Sequence, residues 1–192
     1  MFRFLIAYYL FNDVLVTVLF FIAIVLRARF GLGIDGLLWL ALLYHFIALQ
    51  ATFAFGHAAD RWGQRATIYV MVTILGVALL SLAFATEIVA AVIVVILLGL
   101  VYGSLQAVCR SLLALLIHSR NAAEIFGFNT VAGRLSAALG PLVFGAVPAT
   151  SGSQTVGLIS LLPFLIAGVA VLGLVRIPVA HLTGEAPASE VG

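Results

Sequence analysis

Apolar and polar positions along this chain are arranged in long blocks rather than in short alternating periods. Six apolar stretches reach the roughly 20 residues that a helix needs to cross a bilayer, and short polar connections separate them. The six stretches are Phe4–Leu26, Leu37–Ala58, Ala66–Thr86, Ile88–Leu116, Glu124–Val147 and Thr155–Val175. The pattern therefore predicts an all-α integral membrane protein with six transmembrane helices.

Composition supports this fold class and narrows the range of functions. Hydrophobic residues make up 65% of the chain and charged residues 8%, which leaves too little polar surface for a soluble globular protein. The net charge of +2 is too small to indicate nucleic-acid binding. No spacing typical of a metal site, a phosphate-binding loop or a catalytic pair is present. We expect no metal, no cofactor and no enzymatic activity; the lipid bilayer and a small-molecule substrate are the expected partners.

Polar residues within the spans follow a repeat of three. The first, second, fourth and fifth spans contain them, whereas the third and sixth have no charged residue, His, Asn or Gln in their apolar cores. The polar positions are Tyr8, Tyr9, Asn12 and Asp13; His45 and Gln50; Tyr102, Gln106 and Arg110; and Asn129 and Arg134. This distribution predicts two three-helix repeats around a cavity, with the third and sixth spans facing lipid.

A short charged loop joins the second and third spans. It contains Gly56, Asp60, Arg61, Gly63 and Arg65 in the order Gly-x-x-x-Asp-Arg-x-Gly-x-Arg, and this pattern resembles the loop motif of the major facilitator superfamily of secondary transporters. We expect Gly56 to permit close helix approach, Gly63 to adopt positive φ and Asp60 to accept from helix N-terminal N–H groups. The alternative is an ordinary charged turn between two membrane helices.

Three further runs resemble the carboxy-terminal half of the vacuolar-effluxer-like branch of that superfamily. Gly103–Ser111 reads G-x-x-Q-A-x-x-R-S, Ala123–Phe128 reads A-E-x-F-G-F, and Gly140–Gly145 reads G-P-L-x-F-G. The stretch before Asp13 resembles the start of the seventh helix in that family. One departure is Arg134, which stands where the family pattern more often has Lys.

The resemblance implies a twelve-helix transporter built from two halves, of which this chain would be the second. Its partner would then be the missing amino-terminal six-helix half or a second copy of the chain. We expect residues 1–178 to form the six-helix half and residues 179–192 a disordered cytoplasmic tail. Transport of a small polar metabolite by alternating access follows from the resemblance, with amino-acid export as the family activity. The alternative is a non-transporting remnant or an assembly partner derived from such a transporter.

The distribution of arginine predicts the orientation in the membrane. Five arginines lie near the span ends of one face and two near those of the other, and the richer face is expected to be cytoplasmic. The two groups are Arg3, Arg61, Arg65, Arg120 and Arg176, and Arg27 and Arg29. Both termini would then be cytoplasmic, in a membrane of the bacterial inner or plasma type.

The candidate substrate and proton-coupling site lies near the membrane midplane. Asp13 and Arg134 each stand about ten residues into their spans, so both are expected roughly 15 Å deep in a core about 30 Å thick. Opposite charges at that depth would share one cavity, with Asn12, Gln106 and Tyr9 as neighbouring polar groups. A structural ion pair between Asp13 and Arg134 is the alternative.

A second candidate cluster is a cytoplasmic latch made of the charged loop, Arg110 and Glu124. The acidic residues Asp60 and Glu124 could offset the arginines at the same membrane face. Arg110 could alternatively bind a substrate carboxylate, and Glu124 could simply complement the dipole at a helix N-terminus. His45 is expected to be a hydrogen-bonded core residue, with a proton relay as the alternative.

Overall fold

The computed structural model describes residues 2–116, 127, 130, 139–151 and 153–175, and these residues are almost wholly helical. The helices are α1 (Phe2–Phe30), α2 (Ile34–Trp62), α3 (Gln64–Phe84), α4 (Ile88–Leu116), α5 (Leu139–Ser151), α6 (Gln154–Ile159) and α7 (Leu162–Gly173). Within this described part, five segments are long and apolar enough to cross a membrane: α1 to α4, and Gln154–Gly173. The predicted all-α membrane fold is confirmed. Helix α5 covers the end of the fifth predicted span, whose earlier part lies largely outside the described residues.

Glycines make the first two connections very short. Gly31 follows α1 with φ +64°, and Gly63 separates α2 from α3 with φ +86°. Side chains with a Cβ rarely adopt this backbone region. The prediction for Gly63 is therefore confirmed. Arg27 and Arg29, which follow the predicted end of the first span at Leu26, lie in the last turn of α1.

Helix α4 is central, and its glycines allow α2 to approach closely. A Cβ on Gly99 would lie 3.0 Å from the carbonyl oxygen of Tyr44, and one on Gly103 would lie 2.7 Å from Oγ1 of Thr52. These are small-residue contacts of the kind that lets membrane helices pack backbone to backbone. On the other side of the bundle, Gly168 of α7 packs against the ring of Phe11, whose Cε1 would lie 2.5 Å from an added Cβ.

The sixth predicted span is divided into α6 and α7. Ser160 and Leu161 form a turn between them, in which the N–H of Leu161 donates to the carbonyl of Leu158 at 3.2 Å. Pro163 opens the second piece, and because proline has no N–H it cannot continue the hydrogen-bond ladder of α6. The sixth predicted span is thus present as the segment Gln154–Gly173, with a turn inside it.

The expectation that the third span faces lipid stays a prediction, and its exposed side presents Val70, Val77 and Leu80. Half of the most apolar window of α3 is buried within the chain, compared with 17% of that of α2. Fully buried residues such as Ile68, Met71 and Leu75 line the packed side of α3. An apolar side chain packs as readily against another helix as against lipid, so the absence of polar residues does not distinguish the two surroundings.

Three arginines bind helix ends rather than other charged side chains. Arg29 donates to the carbonyls of Leu82 (2.7 Å) and Ala83 (3.1 Å) at the end of α3, and to Oγ1 of Thr155 in α6 (2.8 Å). The last carbonyls of a helix have no partner within the helix and carry partial negative charge, so a guanidinium there stabilises it. At the opposite membrane face, main-chain carbonyls at the end of α7 and just beyond it accept from Arg65 and Arg3. Arg65 donates to Val175 (3.1 Å) and Gly173 (2.8 Å), and Arg3 donates to Leu174 (3.4 Å).

Replacing Arg29 by Ala should lower thermal stability by an amount that is easily measured. The change removes hydrogen bonds from a charged donor to three acceptors on two other helices, and a single bond of this kind contributes about 1.5–3 kcal/mol. Thermal unfolding in detergent can be followed with a thiol-reactive fluorophore, since Cys109 is the single cysteine and is 1% exposed.

Arg27→Ala is the matched control, because Arg27 lies in the same last turn of α1 and is exposed. Arg29→Lys should be intermediate, since an ammonium cannot reproduce the planar fork of the guanidinium. Equal melting temperatures for the Arg27→Ala and Arg29→Ala variants would show that the bridge does not hold α3 and α6 together.

Candidate functional site

Helices α1 and α4 bring two of the predicted site residues together near the middle of their lengths. Nε2 of Gln106 donates to Oδ1 of Asn12 at 3.2 Å, and both side chains are half-buried. An amide has two donors and one acceptor oxygen with two lone pairs. The pair therefore keeps donors and acceptors for further hydrogen bonds. Polar side chains are costly at this depth in a membrane, and where they occur they are typical of solute pathways.

A second pair lies on the same side of these helices, one turn away. Tyr8 stands four residues before Asn12, and Arg110 stands four after Gln106, which places each on the face of its neighbour. Tyr8 is buried and interacts electrostatically with the exposed Arg110, and the ring of Tyr9 lies 5.8 Å from that of Tyr8. We refer to Tyr8, Asn12, Gln106 and Arg110 as the polar seam.

Asp13 lies on a different face of α1, against α5. Its side chain is 2% exposed, and a Cβ on Gly140 would lie 2.9 Å from its Oδ2. Thr17 donates to the main-chain carbonyl of Asp13 at 2.7 Å, and the main-chain N–H of Gly140 is a polar group that interacts with the carboxylate. Asp13 is thus enclosed by protein instead of facing an open cleft. The predicted partner Arg134 lies outside the described residues.

A cavity of about 330 Å³ lies between α1, α2 and α4. Its walls are mainly aliphatic, with Tyr44, His45 and Tyr102 as the polar residues. The rings of Tyr44 and Tyr102 are 5.5 Å apart, and Nδ1 of His45 lies 2.7 Å from the carbonyl oxygen of Ala41. Because Tyr102 is one turn before Gln106 on α4, the cavity adjoins the polar seam.

The charged loop has a different arrangement from the one expected. Gly56 is not at a close helix contact within the described residues, since an added Cβ would meet none of their atoms within 4 Å. The N-terminus of α3 is capped by Gly63 without a side-chain hydrogen bond, so Asp60 does not cap it. Arg65 binds the end of α7 and lies over the ring of Tyr69 at 5.8 Å. Asp60 and Arg61 are exposed, and Glu124 of the predicted latch lies outside the described residues.

Sequence reasoning missed one residue of this region and placed another wrongly. Tyr44 was not selected, although it lines the cavity and its buried hydroxyl has no hydrogen-bond partner among the described residues. His45 was expected in the core but is exposed. The sequence signal for a site here was the adjacent pair Tyr44 and His45 in the middle of an apolar span. Both residue types are uncommon in lipid-facing positions at that depth.

Comparison with known proteins places these features in a family context. Residues 1–183 match the family model described as "Vacuole effluxer Atg22 like". Over 175 residues the chain is 25% identical to an uncharacterized MFS-type transporter, YxiO, of Bacillus subtilis (strain 168). That match covers 91% of this chain and 41% of the relative, so the chain spans less than half of the relative's length.

Proposed function

We propose that this chain, which belongs to the Vacuole effluxer Atg22 like family of membrane transporters, is one six-helix half of a permease that moves a small polar solute by alternating access. It acts as a transporter without enzymatic activity, in a membrane of the bacterial inner or plasma type with both termini cytoplasmic. An amino acid is the proposed solute. The observation that supports this most strongly is the hydrogen-bonded pair of Asn12 and Gln106 in the middle of α1 and α4.

The polar seam has the chemistry that a zwitterion requires. Amide N–H groups of Asn12 and Gln106 can donate to a carboxylate, while their oxygens can accept from an ammonium group. Arg110, one turn along α4, adds a guanidinium that can bind a carboxylate through two parallel hydrogen bonds. Half-buried amides at the midplane can be reached from one side of the membrane at a time, as alternating access requires.

Asp13 is the proposed proton-coupling residue. An ionised carboxylate that is only 2% exposed within a membrane-spanning helix is costly, and proton uptake removes the charge. Movement of α5 relative to α1 would change the surroundings of Asp13, because Gly140 packs directly against it. Proton binding could thus be coupled to the conformational change that exposes the solute site.

Replacing Gln106 by Leu should raise the KM for the solute by about tenfold to a hundredfold. The substitution keeps a similar volume but removes hydrogen bonds to a charged ligand, each worth about 1.5–3 kcal/mol. The measurement is uptake of radiolabelled amino acids into proteoliposomes that contain the complete transporter with this half.

Thr73→Val is the matched control for that measurement. Thr73 is exposed on α3, and its hydroxyl donates to the carbonyl of Tyr69 in its own helix at 2.9 Å. The control should transport like the wild type. A Gln106→Leu variant with an unchanged KM would place the solute site elsewhere.

The second candidate function is that of a non-transporting remnant or an assembly partner. The match covers 41% of the relative's length, which is compatible with a chain that lacks the other half. A single half cannot enclose a solute between two halves. Proteoliposomes with this chain alone, and with the complete transporter, separate the two proposals. Solute uptake that requires the added helices supports the transporter half; absence of uptake in both supports the remnant.

A further inference from the structure

The cavity between α1, α2 and α4 is polar at one end and aliphatic along the rest of its length. Its polar residues Tyr44, His45 and Tyr102 lie at the end that adjoins the polar seam. From there the aliphatic lining extends toward the membrane face at which α1 ends and α2 and α4 begin, as far as Leu26 and Leu37. A ligand that fills the cavity would therefore be polar next to the seam and apolar beyond it.

The polar end of the cavity presents a hydrogen-bond acceptor. Nδ1 of His45 lies 2.7 Å from the carbonyl oxygen of Ala41, and because a carbonyl can only accept, this nitrogen carries the proton. Nε2 of the neutral imidazole is then an acceptor. The rings of Tyr44 and Tyr102 are 5.5 Å apart, and the faces of such rings attract cations. This end of the cavity therefore suits the ammonium group of a solute whose carboxylate lies in the polar seam.

The aliphatic part of the cavity is longer than a leucine side chain. Tyr102 and Val95 both line it and are seven residues apart on α4, which corresponds to about 10 Å along the helix axis. An extended chain of single bonds advances about 1.2 Å per bond, so about eight carbons fit in this length. The volume of about 330 Å³ lies in the range of sites for small organic ligands.

Two alanines leave an opening into this part of the cavity. Ala23 and Ala41 each lie seven residues from the helix ends Phe30 and Ile34, which flank the connection between α1 and α2, so the two alanines are at the same level. Both line the cavity and both are exposed. Their side chains have a single carbon, and the cavity can therefore be reached between α1 and α2.

We propose that the solute is an amphipathic zwitterion, with an amino-acid head in the polar seam and an unbranched apolar tail of about eight carbons in the cavity. This proposal rests on the proposed function as one half of a permease for an amino acid. The direction of the solute follows from the polarity of the cavity. A membrane phospholipid that entered between α1 and α2 would lie the other way round, with the end of its acyl chain against His45.

Competition by 2-aminoalkanoic acids of increasing length tests the tail. The probes run from 2-aminobutyric to 2-aminotetradecanoic acid, and they compete with uptake of a radiolabelled amino acid into proteoliposomes that contain the complete transporter. Each methylene moved from water into the cavity should raise the affinity about fourfold, up to the eight-carbon side chain of 2-aminodecanoic acid. Longer tails should gain nothing. Partition into lipid continues to increase with length, so an optimum identifies a cavity of fixed length.

Ala41→Leu should weaken 2-aminodecanoic acid relative to 2-aminohexanoic acid by about tenfold or more, because the larger side chain removes room for several methylenes. Ala54→Leu is the matched control. Ala54 is exposed on the same helix but lies further along α2, away from the cavity, so the ratio of the two affinities should stay that of the wild type. An optimum at four carbons or fewer in the wild type, or an unchanged ratio in Ala41→Leu, would overturn the proposal.

Thermal unfolding separates this proposal from the proposed function, because it detects binding without transport. A ligand that binds the folded protein raises its melting temperature, and 2-aminodecanoic acid should do so for the complete transporter in lipid nanodiscs but much less for the Ala41→Leu variant. This stabilisation without uptake of any solute would support the tail site and reject the transport function. Uptake of short amino acids without this stabilisation would retain the transport function and overturn the tail site.

Discussion

Asp13→Asn is expected to abolish proton-driven accumulation of solute while leaving solute exchange and membrane insertion intact. Asn has nearly the same shape as Asp but cannot take up or release a proton. Since Asp13 is 2% exposed, the neutral amide should fit the existing space beside Gly140. Accumulation against a gradient and counterflow at equal proton concentrations, both in proteoliposomes, measure the two properties separately.

Asp35→Asn is the control, because Asp35 is an exposed carboxylate in the first turn of α2. Normal accumulation by the Asp13→Asn variant would show that Asp13 does not couple transport to protons. Loss of both accumulation and exchange, with reduced insertion, would assign Asp13 a structural role instead.

The second large effect is expected for Gly140→Val, which should impair packing of α5 against α1. An added Cβ would collide with Oγ1 of Thr17 and would lie 3.1 Å from the main-chain carbonyl oxygen of Asp13. The Thr17 side chain is itself held by its hydrogen bond to that carbonyl, so relief requires movement of the helices. Overpacking of this kind costs about 1–3 kcal/mol, and labelling of Cys109 during heating should detect it as a lower melting temperature.

Gly145→Val provides a control on the same helix. A Cβ at Gly145 would meet no atom of the part of the chain that the structure describes within 4 Å, so this variant should melt close to the wild type. Similar losses for both variants would point to glycine flexibility in α5, not to the contact with α1, as the property that matters.

Span positions could be predicted from the sequence because a membrane imposes a minimum apolar length on every helix. The first four predictions lie within the observed helices or extend past them by a few residues, and α2 continues to Trp62 where the prediction ended at Ala58. Polar residues at a span end can remain helical at the interface, which a count of apolar residues does not detect. Pro163 was visible in the sequence, but a hydropathy average does not register the N–H that it lacks.

The sequence predicted which residues belong to the candidate site better than it predicted which of them contact one another. Asn12, Asp13 and Gln106 were selected because polar residues are costly at mid-span. Which of them meet depends on how each helix is rotated about its axis, and apolar length carries no information on rotation. Asn12 and Gln106 were both expected beside Asp13; they are bonded to each other, whereas Asp13 faces α5. The same reason explains why the carbonyl partners of Arg29 could not be predicted.

The division of the last span into α6 and α7 has a consequence for how the protein is made. At 1.5 Å per residue, the 6 residues of α6 and the 12 of α7 extend about 9 Å and 18 Å, and neither crosses a core of about 30 Å. The insertion machinery must therefore recognise the whole 20-residue segment as one unit. The turn at Ser160 is set locally by Pro163, whereas the position of α7 depends on the contact of Gly168 with Phe11 of α1. Assembly of this end of the chain would thus require that α1 has already been inserted into the bilayer.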